Sequence, residues 1–537
     1  NRCRRQRQMC IRDRYITMHY DLAIIGYGPA GEAAANLFGK KGFKILVIEP
    51  KKEIWDIPRA VHLDGQVQRV LHAMGLTNEM SEITDPITGV NFINAKGKDI
   101  LSLNFEDRPE LNGFNDDVMF DQPKFEKILR DHAEELPNID FELGSHLTKL
   151  ESLDNSNNLE ITNTENNQIK TLTSTYVIGA DGANSFVRKA LNIQLRNYKY
   201  DEDWIVVDYM VEDKHKINRD RYQICDHRRP TTLLPITNNH VRWEFKINPD
   251  DDVDKLTSDE SIRDFMAPHL WRLNPDIDKN SGILSRASKY TFHGLMAEEF
   301  SSKNCFLIGD AAHQTPPFLG QGMCQGIKDA YNLCWKLTGV LEKKYDKSIL
   351  NSYSIERKEI NDFGIKAAID QGNIIGTQNK YKAMARDAFL SLSQIFPKLQ
   401  GTLNFDYKWQ FTNGILDKDL YPNNNVNGRI IPHPDLSLKY NDKLFDDIFK
   451  KEFALVVFDI EDSLFSVIKN MESVKIFDQN VHLFNDDSIF MSDKKLLKWK
   501  NQNNISAIII RPDMHVYGCC SKKDILSKVD KLTKNCL

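Results

Sequence analysis

The sequence predicts an α/β protein in which a parallel-sheet nucleotide-binding domain is interrupted by an antiparallel-sheet domain and followed by a small C-terminal α/β domain. Three observations predict it. The apolar run Asp21-Leu22-Ala23-Ile24-Ile25 feeds directly into Gly26-Tyr27-Gly28-Pro29-Ala30-Gly31. Between residues 190 and 300, runs such as Trp204-Ile205-Val206-Val207-Asp208-Tyr209 and Val241-Arg242-Trp243-Glu244-Phe245 suggest antiparallel strands half exposed to a ligand cavity. Beyond the Asn-rich stretch Pro422 to Gly428, which reads as a linker, Phe453 to Phe458 and Ile505 to Ile510 have strand length.

Taken in order, the glycine loop opens a helix predicted over Ala30 to Lys41, and Lys44 to Ile48 is the next buried strand, closing at Glu49. This is a Rossmann-like βαβ unit, the setting in which a glycine motif gains a meaning. Gly26 permits a tight turn, Gly28 lets the backbone approach a pyrophosphate, and Gly31 allows close helix–strand packing. The helix N-terminus then faces the anion. Glu49, eighteen positions beyond Gly31, is placed to accept ribose hydroxyls. Phe306-Leu307-Ile308 returns to a buried strand, Gly326 to Glu342 reads as a helix packing on the first domain, and about Asn361 to Trp409 is helical in pattern.

The expected organisation is a first part of the nucleotide-binding domain at 18–190 and a sheet domain for substrate at 191–300. The second part of the nucleotide-binding domain follows at 301–360, a helical connection with linker at 361–428, and the C-terminal domain at 429–537. Residues 1–17 are set aside as foreign or disordered. Asn1 to Arg14 holds six arginines, two cysteines and one acidic residue, with no apolar region of a secretory signal.

Composition narrows the function classes. With 537 residues, 41% hydrophobic and 27% charged, the chain has the make-up of a multidomain globular protein. A formal charge of −5 gives no electrostatic argument for nucleic acid. No apolar run approaches the ~20 residues of a membrane-spanning helix. Nine scattered cysteines form no Cys-x-x-Cys and no zinc spacing, so no metal is expected and a reducing cytoplasm fits best.

Two later motifs give the glycine loop its context: Gly179-Ala180-Asp181-Gly182 and Gly309-Asp310-Ala311-Ala312-His313. With Pro58-Arg59-Ala60-Val61, Phe120-Asp121-Gln122-Pro123 and the continuation Gln314-Thr315-Pro316-Pro317, they make the chain from Met18 onward resemble the class A flavin-dependent aromatic hydroxylases. This group contains para-hydroxybenzoate hydroxylase and phenol hydroxylase. Pro230-Thr231-Thr232, Trp243-Glu244-Phe245 and Tyr290-Thr291-Phe292-His293 point toward the 3-(3-hydroxyphenyl)propionate hydroxylase branch.

The resemblance implies a FAD-binding domain with an inserted substrate sheet and a thioredoxin-like C-terminal domain. It implies that NADH or NADPH reduces the flavin and that O2, activated at the C4a position, hydroxylates a small phenolic substrate. Arg59 and Gln122 would contact FAD phosphates and ribose, and Asp310, after Gly309, the ribityl chain. Asp181 would tie the FAD domain together and border the nicotinamide route. Gly320, Gly322 and Met323 open a helix whose amides would face the pyrimidine ring. Pro316 and Pro317 would wall off the flavin from water. His313 reads either as a proton-handling residue or as a structural histidine. Tyr290 and His293 read as core or hinge residues, with substrate contact as the alternative. Asp226 and Arg229 are read as orienting a substrate carboxylate or as ordinary surface ion pairs.

The C-terminal domain lacks Cys-x-x-Cys, so packing or homodimer contacts, and no redox role, are expected. Met514 and His515 stand where the resemblance leads one to expect glycine after Asp513. A flavin-dependent halogenase would need Trp-x-Trp-x-Ile-Pro, which is absent. A lipid epoxidase or reductase would show an apolar docking helix. A non-catalytic flavin scaffold would not need the whole stretch from Gly309 to Met323.

Overall fold

The computed structural model describes residues 18–106, 112–212, 214–396, 409–417, 425–433 and 494–521, together with residue 446 and the short segments 453–457, 475–476, 479–480 and 482–484. Residues 1–17 lie outside the described residues. At the centre of the first sheet, His19–Ile25 runs parallel to Ile45–Glu49 on one side and to Ile169–Gly179 on the other. Ile139–Leu143 and Cys305–Leu307 extend it in parallel at the two flanks. Leu22, Ala23 and Ile24 have no exposed surface, as in a parallel sheet covered on both faces, with the helix Pro29–Gly39 and the strand Ser145–Ser152 packed against its central strands. The helix expected at Ala30 to Lys41 runs Pro29–Gly39, and Pro29 at its first turn needs no backbone N–H there.

The second sheet is predominantly antiparallel and lies across the open side of the nucleotide-binding domain. Its order is His313–Gln314, Ile283–Ala297, Leu195–Met210, His240–Lys246, Thr231–Pro235, Arg221–Cys225, Gly89–Asn94 and Asp99–Asn104. Gly89–Asn94 and Asp99–Asn104 come from far earlier in the chain, a long-range pairing that no local periodicity announces. Alternation divides the sheet. Ile205, Val207, Tyr209, Val241, Trp243 and Phe245 pack under the helices Val253–Leu256 and Asp259–Met266, each large side chain contributing about 1.5–3 kcal/mol by burial. Trp204 points the other way, into a cluster with Phe292 and Phe318 at ring-centroid distances of 5.6–5.9 Å.

The C-terminal sheet has the order His482–Phe484, Ala454–Val457, Ala507–Ile510, Val516–Cys520, parallel in its first pair and antiparallel in the other two. Of the expected linker, 422–424 lie outside the described residues. Val426 and Asn427 are buried and the Gly428 N–H donates to Val516 O, so this part is docked against the sheet. Met514 adopts φ +63°, the left-handed conformation that the missing glycine would have supplied freely.

A buried ionic cluster joins this domain to the first. Arg511 donates to both oxygens of Glu356 at 2.9 Å and pairs with Asp513 at 2.7 Å, while Lys336 also reaches Glu356 at 2.7 Å. All four side chains are inaccessible to solvent. Asp513 also accepts from Asn332 and from the Trp335 indole. Burial alone would raise the Glu356 carboxyl, but Arg511 and Lys336 outweigh it and hold it at about 2. The stabilisation from this depressed carboxyl is therefore fully present above the ordinary glutamate range and is lost as pH falls toward 2. Glu356→Gln should cost about 3–5 kcal/mol by leaving Arg511 under-paired. In urea unfolding followed from neutral to acidic pH, the gap between wild type and variant should narrow as the medium becomes acidic.

Candidate functional site

The three motifs converge at the carboxyl ends of the parallel strands, where the strand order reverses and ligands of open α/β sheets bind. Gly26 has φ +98°, and a Cβ there would lie 2.4 Å from the Ala180 carbonyl oxygen. A Cβ on Gly31 would lie 2.1 Å from Gly26 O. These two glycines are required by the protein's own backbone. Gly28 is different: its backbone is extended, φ −92° and ψ −175°, which any residue adopts, and a Cβ there meets nothing within 4 Å. Nothing in the protein requires glycine at that position. The space it leaves sits at the N-terminus of Pro29–Gly39, a helix that no side chain caps. An open, uncapped N-terminus of this kind fits a pyrophosphate.

Around this loop the fixed groups are in place. Glu49 accepts hydrogen bonds from Tyr27 N at 2.8 Å and Lys51 N at 3.0 Å, which aims its carboxylate along the loop. Arg130 pairs with buried Glu32 at 2.8 Å and donates to Tyr27 O at 2.7 Å. Gln122 is buried, and its Oε1 accepts from Arg59 N and Ala60 N, both at 2.6 Å, while its Nε2 donates to Glu126. Both ends of the Gln122 amide are thus committed. It shapes the loop that carries Arg59, whose side chain stays half exposed.

The second and third motifs are bound to each other. Arg188, just beyond Gly182, donates to Ala183 O at 2.7 Å and to Ala311 O at 2.8 Å. Asp181 accepts from Val187 N at 3.0 Å, its other oxygen is buried without a partner, and desolvation raises its pKa. Gly309, Gly326 and Ala30 meet in one close contact, with a Gly326 Cβ 2.9 Å from Gly309 Cα and 3.2 Å from Ala30 Cβ. Ala30 is a packing residue at this junction. Asp310 stays accessible although protein surrounds it elsewhere, as on the floor of a cleft. Desolvation raises its carboxyl, with His313 and Arg59 opposing. Gly320, Gly322 and Met323 lie at the start of Gly322–Leu341, a helix also left without a side-chain cap, and Gly322 has open space beside it. Pro316 is buried and Pro317 partly so, and Phe318 after them enters the aromatic cluster of the second sheet.

Several expected site residues stand elsewhere. His313 is fully buried, bonded through Nε2 to Asp329 at 2.7 Å and stacked on Phe300, with its Nδ1 buried and without a hydrogen-bond partner among the described residues. Asp226 pairs with Arg228 in its own loop, and Arg229 pairs with Asp251 of the loop after His240–Lys246 at 2.8 Å. His293 pairs with Asp201 on the surface. These three form local ion pairs because each has a nearer charged neighbour than any cleft group. Tyr290 shares the face of Trp204, and its hydroxyl accepts from Arg286 at 3.2 Å.

Sequence reasoning missed what binds the two domains. Asp208 accepts from His240 at 2.9 Å, Arg242 at 3.0 Å and Arg286 at 2.5 Å. Burial would raise this carboxyl, but the three donors hold it at about 2. Arg242 goes on to Pro58 O and Arg59 O, and Arg286 to Pro58 O, so the sheet grips the loop that carries Arg59. The available signal was Arg242, Glu244 and Lys246 alternating with apolar residues, which puts three charges on one strand face.

The two kinds of glycine give a direct test. Gly28→Val should leave the unfolding temperature of the flavin-free protein unchanged and weaken FAD binding at least ~10-fold, read by flavin fluorescence quenching. Gly31→Val forces a backbone overlap and should destabilise the flavin-free protein itself by about 1–3 kcal/mol or more.

Comparisons with known proteins identify the family of the chain. Residues 19–365 match the family described as FAD binding domain. The 3-(3-hydroxy-phenyl)propionate/3-hydroxycinnamic acid hydroxylase of Burkholderia cenocepacia is 28% identical over 522 residues, covering 92% of this chain and 93% of the relative. The hydroxylase 2 of the same name from Burkholderia vietnamiensis is 30% identical over 445 residues, 81% of this chain and 78% of the relative. Among solved structures, the flavin-dependent monooxygenase PieE in complex with FAD and substrate matches with a TM-score of 0.76 at 18% identity, over 97% of this chain and 99% of that one. Aklavinone-11 hydroxylase with FAD and aklavinone matches at 0.73 and 17% identity, over 96% and 99%. The structural likenesses establish the fold, and the sequence matches establish the kinship: this chain belongs to the FAD binding domain family, among the flavin-dependent hydroxylases.

Proposed function

We propose that the protein is a FAD-dependent, NAD(P)H-consuming monooxygenase that hydroxylates a phenolic aromatic acid of the 3-(3-hydroxyphenyl)propionate class. The observation that carries the reading is the face of the second sheet turned toward the flavin loops. It combines an aromatic wall, Trp204, Phe292 and Phe318, with charged groups on Arg242, Arg286 and Glu244. A flat ring with a polar substituent is the ligand such a face suits. The names of the relatives that match along most of their length support the same substrate class.

Bound FAD supplies the redox chemistry, passing electrons from the nicotinamide to O2. The chain supplies binding, orientation and exclusion of water. The loop from Gly26 to Gly31 and the helix it opens hold the pyrophosphate, Glu49 the ribose hydroxyls, and Asp310 the ribityl chain. Arg59 adds positive charge at the phosphates. The unpaired amides at the start of Gly322–Leu341 place partial positive charge where an electron-rich ring is favoured. Pro316 and Pro317 keep water from the reacting edge, and Phe318 fixes their loop against the aromatic wall.

The deciding experiment is oxidation of NADH and of NADPH by the FAD-loaded protein, with and without 3-(3-hydroxyphenyl)propionate, scoring hydroxylated product against peroxide. Stimulated oxidation with product in step is the expected outcome. Stimulation with peroxide alone points to a different phenol as substrate, and no response to any phenol in a wider panel rejects the reading.

A further inference from the structure

One carboxyl on the sheet face toward the flavin loops has no partner among the described residues. Along His240–Lys246, Val241, Trp243 and Phe245 enter the apolar core, so Arg242 and Glu244 share the opposite face. Arg242 is committed to Asp208 and to the Pro58 and Arg59 carbonyls. Glu244 makes no hydrogen bond and no ion pair among the described residues, although it is only partly accessible. Its cross-strand neighbours are Val206, which is apolar, and Thr232, whose hydroxyl donates to Gln223 at 2.9 Å. Two residues further along the same face, opposite Lys246, stands Trp204 of the aromatic wall.

Asp208 and Glu244 lie one step apart on this face, and the same two arginines act on both. Their environments separate them. Asp208 is saturated with donors and held low, whereas desolvation raises Glu244 against the pull of Arg242 and Arg286, with the charge of Asp208 adding to the rise. Arg242 on its own strand, Asp208 on the adjacent strand and Arg286 beyond it are the charged groups acting on Glu244. Two carboxyls driven apart in this way take different roles, one fixed and structural, the other free to exchange a proton. A desolvated carboxylate without hydrogen bonds is unfavourable for the fold by itself, which marks the position as one serving a ligand.

We propose that Glu244 receives the hydroxyl of the aromatic substrate, accepting its hydrogen bond and then its proton as the ring is hydroxylated. This rests on the aromatic hydroxylase reading above. The phenolic O–H bond breaks, a carboxyl O–H forms on Glu244, and the electron pair left on oxygen enriches the ring positions ortho and para to it. A carboxylate held beside the ring hydroxyl, with no protein donor of its own among the described residues, is suited to this transfer.

The test uses the FAD-loaded full chain and two matched ligands, 3-(3-hydroxyphenyl)propionate and 3-phenylpropionate, which lacks the hydroxyl. Binding is read from the flavin absorbance, ionisation of the bound phenol from its own absorbance across neutral to alkaline pH, and hydroxylation from product. Glu244→Gln should bind 3-phenylpropionate within about twofold of wild type and lose about 10-fold in affinity for the phenol. The bound phenol should ionise at lower pH, because the negative charge that opposes its phenolate is gone, and hydroxylation should fall by about 100-fold for want of a proton acceptor. Glu244→Asp should recover part of the pH profile. Equal loss of both ligands in Glu244→Gln, or an unchanged pH profile and rate, overturns the assignment of Glu244 while leaving the hydroxylase reading standing. A wild type that responds to no phenol overturns that reading and the assignment together.

Discussion

A single buried carboxylate, Asp329, sets the geometry on which the flavin side of the molecule depends. It stands on the helix Gly322–Leu341 and accepts from Gly309 N at 3.0 Å, His313 Nε2 at 2.7 Å and Arg357 Nε at 2.6 Å, with Asn361 at 3.4 Å. A buried charge is tolerable only when paired and fully hydrogen-bonded, and here burial is outweighed by Arg357 and His313, which keep the carboxyl below its ordinary range. Through that one group, the turn before Asp310 and the helices Gly322–Leu341 and Asn351–Ile375 are held at fixed separation. Arg188 carries the constraint onward to the second motif, and the close contact of Gly309, Gly326 and Ala30 carries it to the first.

The second sheet is fixed to this frame by the same physics. Asp208 gathers His240, Arg242 and Arg286; Arg242 also donates to the Pro58 and Arg59 carbonyls and Arg286 to that of Pro58. The second sheet and the cofactor loop therefore cannot shift independently without breaking charge-assisted bonds, which are about twice as strong as neutral ones. Phe318 adds an apolar tie from the flavin side into the aromatic wall. Glu244, one position along from this saturated cluster, stands out because the surrounding charges are already satisfied by one another. The C-terminal domain is attached through a third buried cluster, around Arg511 and Glu356, in keeping with a packing role for a domain without a Cys-x-x-Cys pair.

Much of the nucleotide-binding domain was legible because its signals are local. A buried strand of five residues, a glycine loop and a following helix are fixed by neighbours in sequence, and the strand and helix boundaries agree within a few residues. Gly26 and Gly31 were legible for the same reason, since a positive φ and a close backbone approach exclude other residues wherever they occur. Gln122 and His313 were harder. Their types suit ligand contact, but their hydrogen bonds go to Arg59, Ala60 and Asp329, partners that only the folded chain brings near. Asp226, Arg229 and His293 illustrate the converse, since polar residues on loops and edges find the nearest opposite charge.

By itself the sequence determined the α/β class, the three flavin motifs and the alternation that makes the second domain a sheet, because periodicity and glycine stereochemistry act over a few residues. Only the tertiary structure decided which charged face of that sheet meets the cofactor loop, and that Gly89–Asn94 and Asp99–Asn104 complete it. It also decided that Asp208 is saturated while Glu244 has no partner among the described residues. Those outcomes depend on contacts between segments apart in sequence, 32 residues for His240 on Asp208 and 184 for Arg242 on Pro58, where desolvation and charge pairing are properties of the assembled interior.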